Sequence, residues 1–197
     1  KPLPEAEASQ HRKELCVANN IPNDAIIVSM LCRLQSWKGV HIFLDAVAEL
    51  NKDKNLNPFY CLVWGDSFRS DEYKNSLQNT IDENNLPVRL MGASQDAAKS
   101  LSISDILVNA SIQPEPFGLS IVEAMMVGCV PVVPDEGGPI EIVTRGKDGL
   151  IFKARQPDSL ARQLKTLVSD RQLLDKLSQQ AKINAANKYC ASRVIAQ

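Results

Sequence analysis

With 197 residues the chain has room for one domain with a full hydrophobic core. Its composition, 44% apolar and 23% charged, is that of ordinary globular protein and excludes a disordered chain. Lys plus Arg number 22 against 23 Asp plus Glu, a formal net charge of −1. That near-neutrality excludes a broad polyelectrolyte grip on nucleic acid and leaves room for a local cationic pocket.

The chain opens on a polar, proline-punctuated segment, Lys1–Asn20, with one helix expected over Ala6–Ala18. Ile26–Leu31 is a short apolar block of strand type, and Val40–Leu50 then sets Phe43, Leu44, Val47 and Leu50 on one helical stripe. The same alternation repeats. Strands are expected at Phe59–Trp64, Val88–Met91, Asp105–Asn109, Val130–Val133 and Leu150–Phe152. Helices are expected at Glu72–Ile81, Gln95–Leu101, Phe117–Val127, Ile140–Val143, Ser159–Val168 and from Asp170 to about Tyr189. Strand and helix alternating at this length predict right-handed βαβ units. The fold class is α/β, a doubly wound, Rossmann-like parallel sheet of about six strands, with its ligand at the carboxyl ends of the strands.

The longest nearly apolar stretch, Ile121–Val133, is too short and too interrupted to span a bilayer. Five cysteines, Cys16, Cys32, Cys61, Cys129 and Cys190, show no C-x-x-C pair, and are expected as reduced thiols in a cytosolic setting. Only two histidines, His11 and His41, occur, so a His-rich metal site is excluded. G-x-G-x-x-G, the P-loop pattern, G-x-S-x-G and H-E-x-x-H are all absent.

Three loops follow strands and carry chemistry. Leu31–Gly39 brings Arg33 and Lys38 to a helix N-terminus, an arrangement suited to a diphosphate; two solvated surface charges are the alternative. Ser111–Leu119 carries Glu115 and leads into an apolar helix whose one carboxylate is Glu123. A helix apolar almost all round is expected to be buried, so Glu123 needs either a cationic partner or ligand hydroxyls. Pro134–Pro139 presents Gly137 and Gly138 ahead of Pro139, a turn that allows close backbone approach.

Arg33…Lys38-Gly39, Glu115-Pro116-Phe117-Gly118-Leu119…Glu123-Ala124, Gly137-Gly138-Pro139-x-Glu141 and Asp148-Gly149-Leu150-Ile151-Phe152 together resemble the C-terminal, donor-binding domain of family 4 retaining GT-B glycosyltransferases. The resemblance runs from about Ile26 to Tyr189. It implies an interdomain linker and helix segment at 1–25, a nucleotide-sugar donor-binding domain at 26–189 and the start of a truncated segment at 190–197. The N-terminal acceptor domain is absent, so the chain is expected to be half of a GT-B enzyme with little or no transfer activity alone.

The implied function is metal-independent transfer of a hexose, with retention, from a UDP- or GDP-sugar to a saccharide or lipid-linked acceptor. UDP-glucose is the favoured donor, and polysaccharide biosynthesis is one implied setting. By resemblance Arg33 and Lys38 hold the diphosphate and stabilise it as it leaves, and Glu115 bonds hydroxyls of the transferred sugar. Phe117, Gly118 and Leu119 offer backbone amides, Glu123 holds the ribose, the base lies near Met91, and Gly137 and Gly138 shape the loop beside the donor. No metal or other cofactor is implied, and no Asp-x-Asp occurs. The cytoplasm is the implied location, with contact to the cytosolic membrane face through the missing half. Cys32 stands where the family often has Gly, and Gly65-Asp66 keeps one glycine of a usual Gly-x-Gly. A regulatory nucleotide-sugar-binding module and a GT-B-like epimerase are the other readings.

Overall fold

The computed structural model describes residues 4–68 and 70–189; the segment expected at 190–197 lies outside them. Helix α1 (Glu5–Ala18) precedes strand β1 (Ile26–Leu31), a single 3-10 turn (Ser36–Lys38) and α2 (Val40–Asn51). There follow β2 (Phe59–Trp64), α3 (Glu72–Glu83), β3 (Val88–Gly92), α4 (Ala97–Ser102), β4 (Ile106–Val108), α5 (Leu119–Val127), β5 (Val130–Pro134), α6 (Pro139–Ile142) and β6 (Leu150–Phe152). Two helices close the described chain, α7 (Pro157–Ser169) and α8 (Arg171–Tyr189).

All neighbouring strands pair in parallel in the order β3-β2-β1-β4-β5-β6. The doubly wound sheet expected from the sequence is therefore present. Alternate strand residues feed opposite layers. Val28, Met30, Val63 and Val132 meet α2, α3 and α7 on one face, and Leu107, Val133 and Ile151 meet α5 and α8 on the other. Both layers keep water off the strands, which is why their sequence blocks carry so few charges.

The first helix packs on the sheet through Leu15 and Cys16, which join Ile27, Leu62 and Ile103. Its Arg12 forks onto Asp105 at 2.8 and 3.1 Å and reaches the carbonyls of Ala25 and Ile103. β4 begins at Ile106 and is shorter than expected, although the Asp105 backbone still bonds to Ile27 on one side and Val130 on the other. Helix α4 likewise starts at Ala97, because the Asp96 side chain accepts from the Lys99 amide and fixes the first turn there.

Cys16, Cys61 and Cys129 are buried free thiols and Cys32 is a partly buried one. Burial pushes the Cys32 thiol up to about 12. Among the described residues no helix is long and apolar enough to cross a membrane.

Candidate functional site

The strand order reverses between β1 and β4, the place where a doubly wound sheet opens a crevice at its carboxyl edge. From β1 the chain turns through Ser36–Lys38 to Gly39, whose φ of 69° and close approach to β4 favour glycine. A Cβ there would lie 1.9 Å from the Ala110 carbonyl oxygen. The contact presses the Lys38 corner against the β4–α5 loop, and the Ile112 amide donates to the Trp37 carbonyl at 2.8 Å.

Lys38 and Glu115, 77 positions apart in sequence, meet there with Nζ 2.9 Å from Oε1. The Asn109 amide donates to Oε2 at 2.7 Å and Ser111 Oγ to the same oxygen at 3.2 Å. Asn109 Oδ1 accepts from the Ser111 amide at 3.2 Å, which fixes the orientation of the Asn109 side chain. Burial works to raise the Glu115 pKa, but hydrogen bonds from Asn109 and Lys38, the Lys38 charge and Ser111 outweigh it. The carboxyl consequently sits below its ordinary value and stays ionised at neutral pH. The Lys38 ammonium also lies 4.3 Å from the Trp37 ring centroid, a cation–π contact.

A small cavity of about 40 Å³, room for a water or two, is lined by Cys32, Lys38, Glu115 and Ser120, among others. Ser120 lies in the first turn of α5, whose leading amides have no intrahelical acceptor. Beside it runs an open cleft of about 330 Å³ lined by Arg33, Trp64, Asp66, Phe68, Ala93 and Ser94, among others. Arg33 is exposed on that cleft, its guanidinium 6.0 Å from the Phe68 ring centroid. The Met91 side chain packs with Trp64 against the α1 cluster.

Residues Gln113 to Gly118 form a loop, and α5 starts at Leu119 where a start at Phe117 was expected, because Gly118 adopts φ 106°. Phe117 is exposed and meets the Tyr189 ring edge-on at 6.3 Å. A second correction concerns Glu123. The carboxylate is exposed, where a position inside an apolar helix was expected to bury it. Ile121, Val122, Ala124 and Met125 take the inward arc of α5, leaving Leu119 (71% exposed) and Glu123 one turn apart on the outward arc. Helix α5 therefore buries no carboxylate at Glu123.

Gly137 and Gly138 pack directly on the Glu115 loop. The Gly138 amide donates to the Glu115 carbonyl at 2.8 Å. A Cβ on Gly138 would lie 2.4 Å from the Pro116 carbonyl oxygen and 2.7 Å from Phe117 Cα. The turn thus brings two strand-end loops to backbone contact.

Lys38, Glu115, Gly118 and the two glycines are accordingly held in one place, with Arg33 on the adjoining cleft. Asn109 and Ser111 were not singled out in the sequence, although a polar Asn ending the apolar Asp105–Asn109 block was an available signal. A larger groove, about 840 Å³, lies elsewhere, between α2 and α7. Four of its charged residues pair locally, Lys52 with Glu49 at 2.6 Å and Lys165 with Asp53 at 2.8 Å.

A six-stranded, doubly wound parallel sheet with a cation and a carboxylate facing each other at the switch point defines a Rossmann-like α/β class of protein, whose ligands bind at that edge of the sheet. The chain belongs to the glycosyl transferases group 1 family, whose model matches residues 11–184. It is 28% identical over 183 residues to a D-inositol 3-phosphate glycosyltransferase of Corynebacterium efficiens, covering 89% of this chain and 41% of that protein. It is 30% identical over 174 residues to the N,N'-diacetylbacillosaminyl-diphospho-undecaprenol alpha-1,3-N-acetylgalactosaminyltransferase of Campylobacter jejuni, covering 86% and 43%. Among solved structures, Anabaena HepE in complex with UDP and glucose matches with a TM-score of 0.86 and 28% identity, over 100% of this chain and 52% of that one. The chain spans about two fifths of the length of these curated relatives.

Proposed function

We propose that residues 26–189 are the donor-binding half of a retaining, metal-independent hexosyltransferase, the acceptor half being carried outside this chain. The observation that carries the reading is the Lys38–Glu115 pair, with Glu115 held from behind by Asn109 and Ser111. UDP-glucose is the favoured donor, because HepE was solved with UDP and with glucose and matches over the whole chain.

On this reading Arg33, Lys38 and the α5 N-terminus receive the diphosphate. When the bond from the anomeric carbon to the diphosphate oxygen breaks, its electron pair moves to that oxygen. The fixed positive groups stabilise the growing charge without a metal. A hydroxyl of a saccharide or lipid-linked acceptor forms the new bond on the same face of the sugar, and its proton passes to the departing diphosphate. Glu115 accepts hydroxyls of the sugar, exposed Glu123 accepts those of the ribose, and the amides of Phe117, Gly118 and Leu119 lie beside the sugar phosphate. The base occupies the cleft past Arg33, near the end of β3 and Met91. Exposed Phe117, Leu119 and Ile140 give the acceptor half an apolar rim to close on. Work in the cytoplasm, at the cytosolic membrane face, suits acceptors of this kind.

Calorimetric titration of the chain with UDP, GDP, UDP-glucose and GDP-mannose, with and without EDTA, tests the reading. The expected result is binding of one nucleotide class, indifferent to EDTA, with the sugar nucleotide tighter than its bare diphosphate. Glu115→Ala should erase that preference and leave diphosphate binding. Failure of all four to bind, or loss of binding in EDTA, overturns the proposal.

A further inference from the structure

One side chain ties the loops around this site together, and neither the motifs nor the donor reading uses it. Arg155 lies in the β6–α7 connection with φ 60°. The other described non-glycine residues at positive φ are Asn20 and Asn85, a residue type that tolerates the left-handed region. Arginine gains nothing locally from that conformation, so longer-range contacts must hold it there.

Those contacts are specific. The Arg155 guanidinium grips Glu136 with both arms, Nη1 to Oε1 at 2.5 Å and Nη2 to Oε2 at 2.9 Å. Nη1 also donates to the Ile112 carbonyl at 2.9 Å. Glu136 immediately precedes the Gly137-Gly138 turn, and Ile112 lies three residues before Glu115. The adjoining backbone repeats the tie, since the Ala154 amide donates to Asp135 Oδ1 at 2.9 Å. Arg155 therefore bridges the β5–α6 and β4–α5 loops from a third connection. Its side chain is 52% exposed and that of Glu136 26% exposed. An ion pair so open to solvent adds little to stability. A strained backbone and a forked contact of small stabilising value fit a geometric role better than a stabilising one.

We infer that Arg155 is a positioning residue that clamps the Gly137-Gly138 turn against the Glu115 loop and presets the wall met by the sugar half of the donor. The inference rests on the donor reading above. Arg155 acts through the neighbouring loops and not by contact with the reacting atoms.

The test compares UDP with UDP-glucose by calorimetry on wild type, Arg155→Gly, Arg155→Lys, Glu136→Gln and the Arg155→Gly/Glu136→Gln double variant. Glycine accepts the left-handed backbone, so Arg155→Gly removes the clamp without adding strain. Both ligands carry the same diphosphate, so the ratio of their affinities isolates the sugar. Arg155→Gly should lower UDP-glucose affinity about fivefold, the scale set by loss of such an ion pair, with UDP binding within about twofold. Lysine, lacking the fork, should restore only part of the ratio. The double variant should match Arg155→Gly, because the two residues act as one device. An unchanged ratio in Arg155→Gly, with or without a lower melting midpoint, makes Arg155 a structural brace and overturns the inference. Independent, additive losses overturn it as well. Wild type that binds neither ligand fails the donor reading itself, an outcome visible before any variant is compared.

Discussion

Replacing Lys38 by Met keeps the length of the side chain and removes its charge. Glu115 then loses one of three donors while Asn109 and Ser111 still hold Oε2. Lys38 and Glu115 are only 15% and 20% exposed, so the lost contact is partly shielded from water. The relief of desolvating an ammonium offsets part of the loss, and the fold should weaken by only about 1 kcal/mol, or 2–4 °C in melting midpoint. Ligand binding should suffer more. A charged hydrogen bond to a phosphate contributes about 1.5–3 kcal/mol, which corresponds to a rise of about 10- to 150-fold in the dissociation constant for UDP-glucose. The variant also shifts the pH dependence. A carboxyl whose folded pKa is depressed adds stability above its unfolded pKa, and that stability fades as pH falls through the folded value. Without the Lys38 charge the folded pKa of Glu115 rises toward its unfolded value, so the stability lost on acidification should shrink, while acid loss of binding should begin at higher pH. Calorimetry over a pH series from neutral downward reads both effects on one sample. Wild-type affinity in Lys38→Met, with an unmoved acid limb, would refute the assignment of Lys38 to the anion and of the pair to a single electrostatic unit.

Three further outcomes are expected. Gly138→Ala drives a Cβ into backbone atoms of Pro116 and Phe117, and overpacking of this kind costs about 1–3 kcal/mol. Its urea midpoint should fall and sugar-nucleotide binding weaken, and an unchanged midpoint would mean the two loops separate freely. Arg12→Ala removes the fork on Asp105 and the bonds to Ala25 and Ile103. Denaturant unfolding should show a loss of about 1.5–3 kcal/mol with nucleotide binding intact, since Arg12 bonds at the amino-terminal ends of β1 and β4, opposite the carboxyl edge; a binding loss without a stability loss would contradict that placement. Cys32, pushed up to about 12 by burial despite the nearby Lys38 charge, stays protonated through pH 8 and should resist iodoacetamide. Rapid alkylation at that position by mass spectrometry would show the site opens more than its packing indicates.

Much of the fold was legible because parallel strands covered on both faces leave an uninterrupted apolar record. Ile26–Leu31, Phe59–Trp64 and Leu150–Phe152 match their strands end to end. Helix starts were less legible where a side chain or a glycine decides them. The Pro116-Phe117 step looks helical by composition, and only the backbone of Gly118 shows that the turn is made there. Glu123 misled because an apolar neighbourhood in sequence is not a buried arc in space, and α5 has one arc facing outward. Lys38 and Glu115 were visible as chemistry, but their bond was not, since residues 77 positions apart leave no periodic trace. Arg155 gave no signal at all: its partners lie 19 and 43 positions away, and the left-handed backbone that aims it is invisible in composition.

The position of the Lys38–Glu115 bond in the sheet limits what the crevice can hold. β1 and β4 are neighbours, with Val28 opposite Ile106 and Ser29 opposite Leu107. Their connections leave toward opposite layers, β1 to α2 on one face and β4 to α5 on the other. Lys38 and Glu115 are therefore the ends of two diverging loops, and their 2.9 Å contact spans the opening between them. An anion alone must compete with Glu115 for Lys38. A neutral polyol alone must compete with Lys38 for Glu115. A ligand joining an anion to a hydroxyl-bearing ring can satisfy both ends at once, replacing the internal pair by two bonds of its own. Under the proposed reading the order of affinity is sugar nucleotide, then nucleoside diphosphate, then free sugar, because only the first compensates both groups it separates.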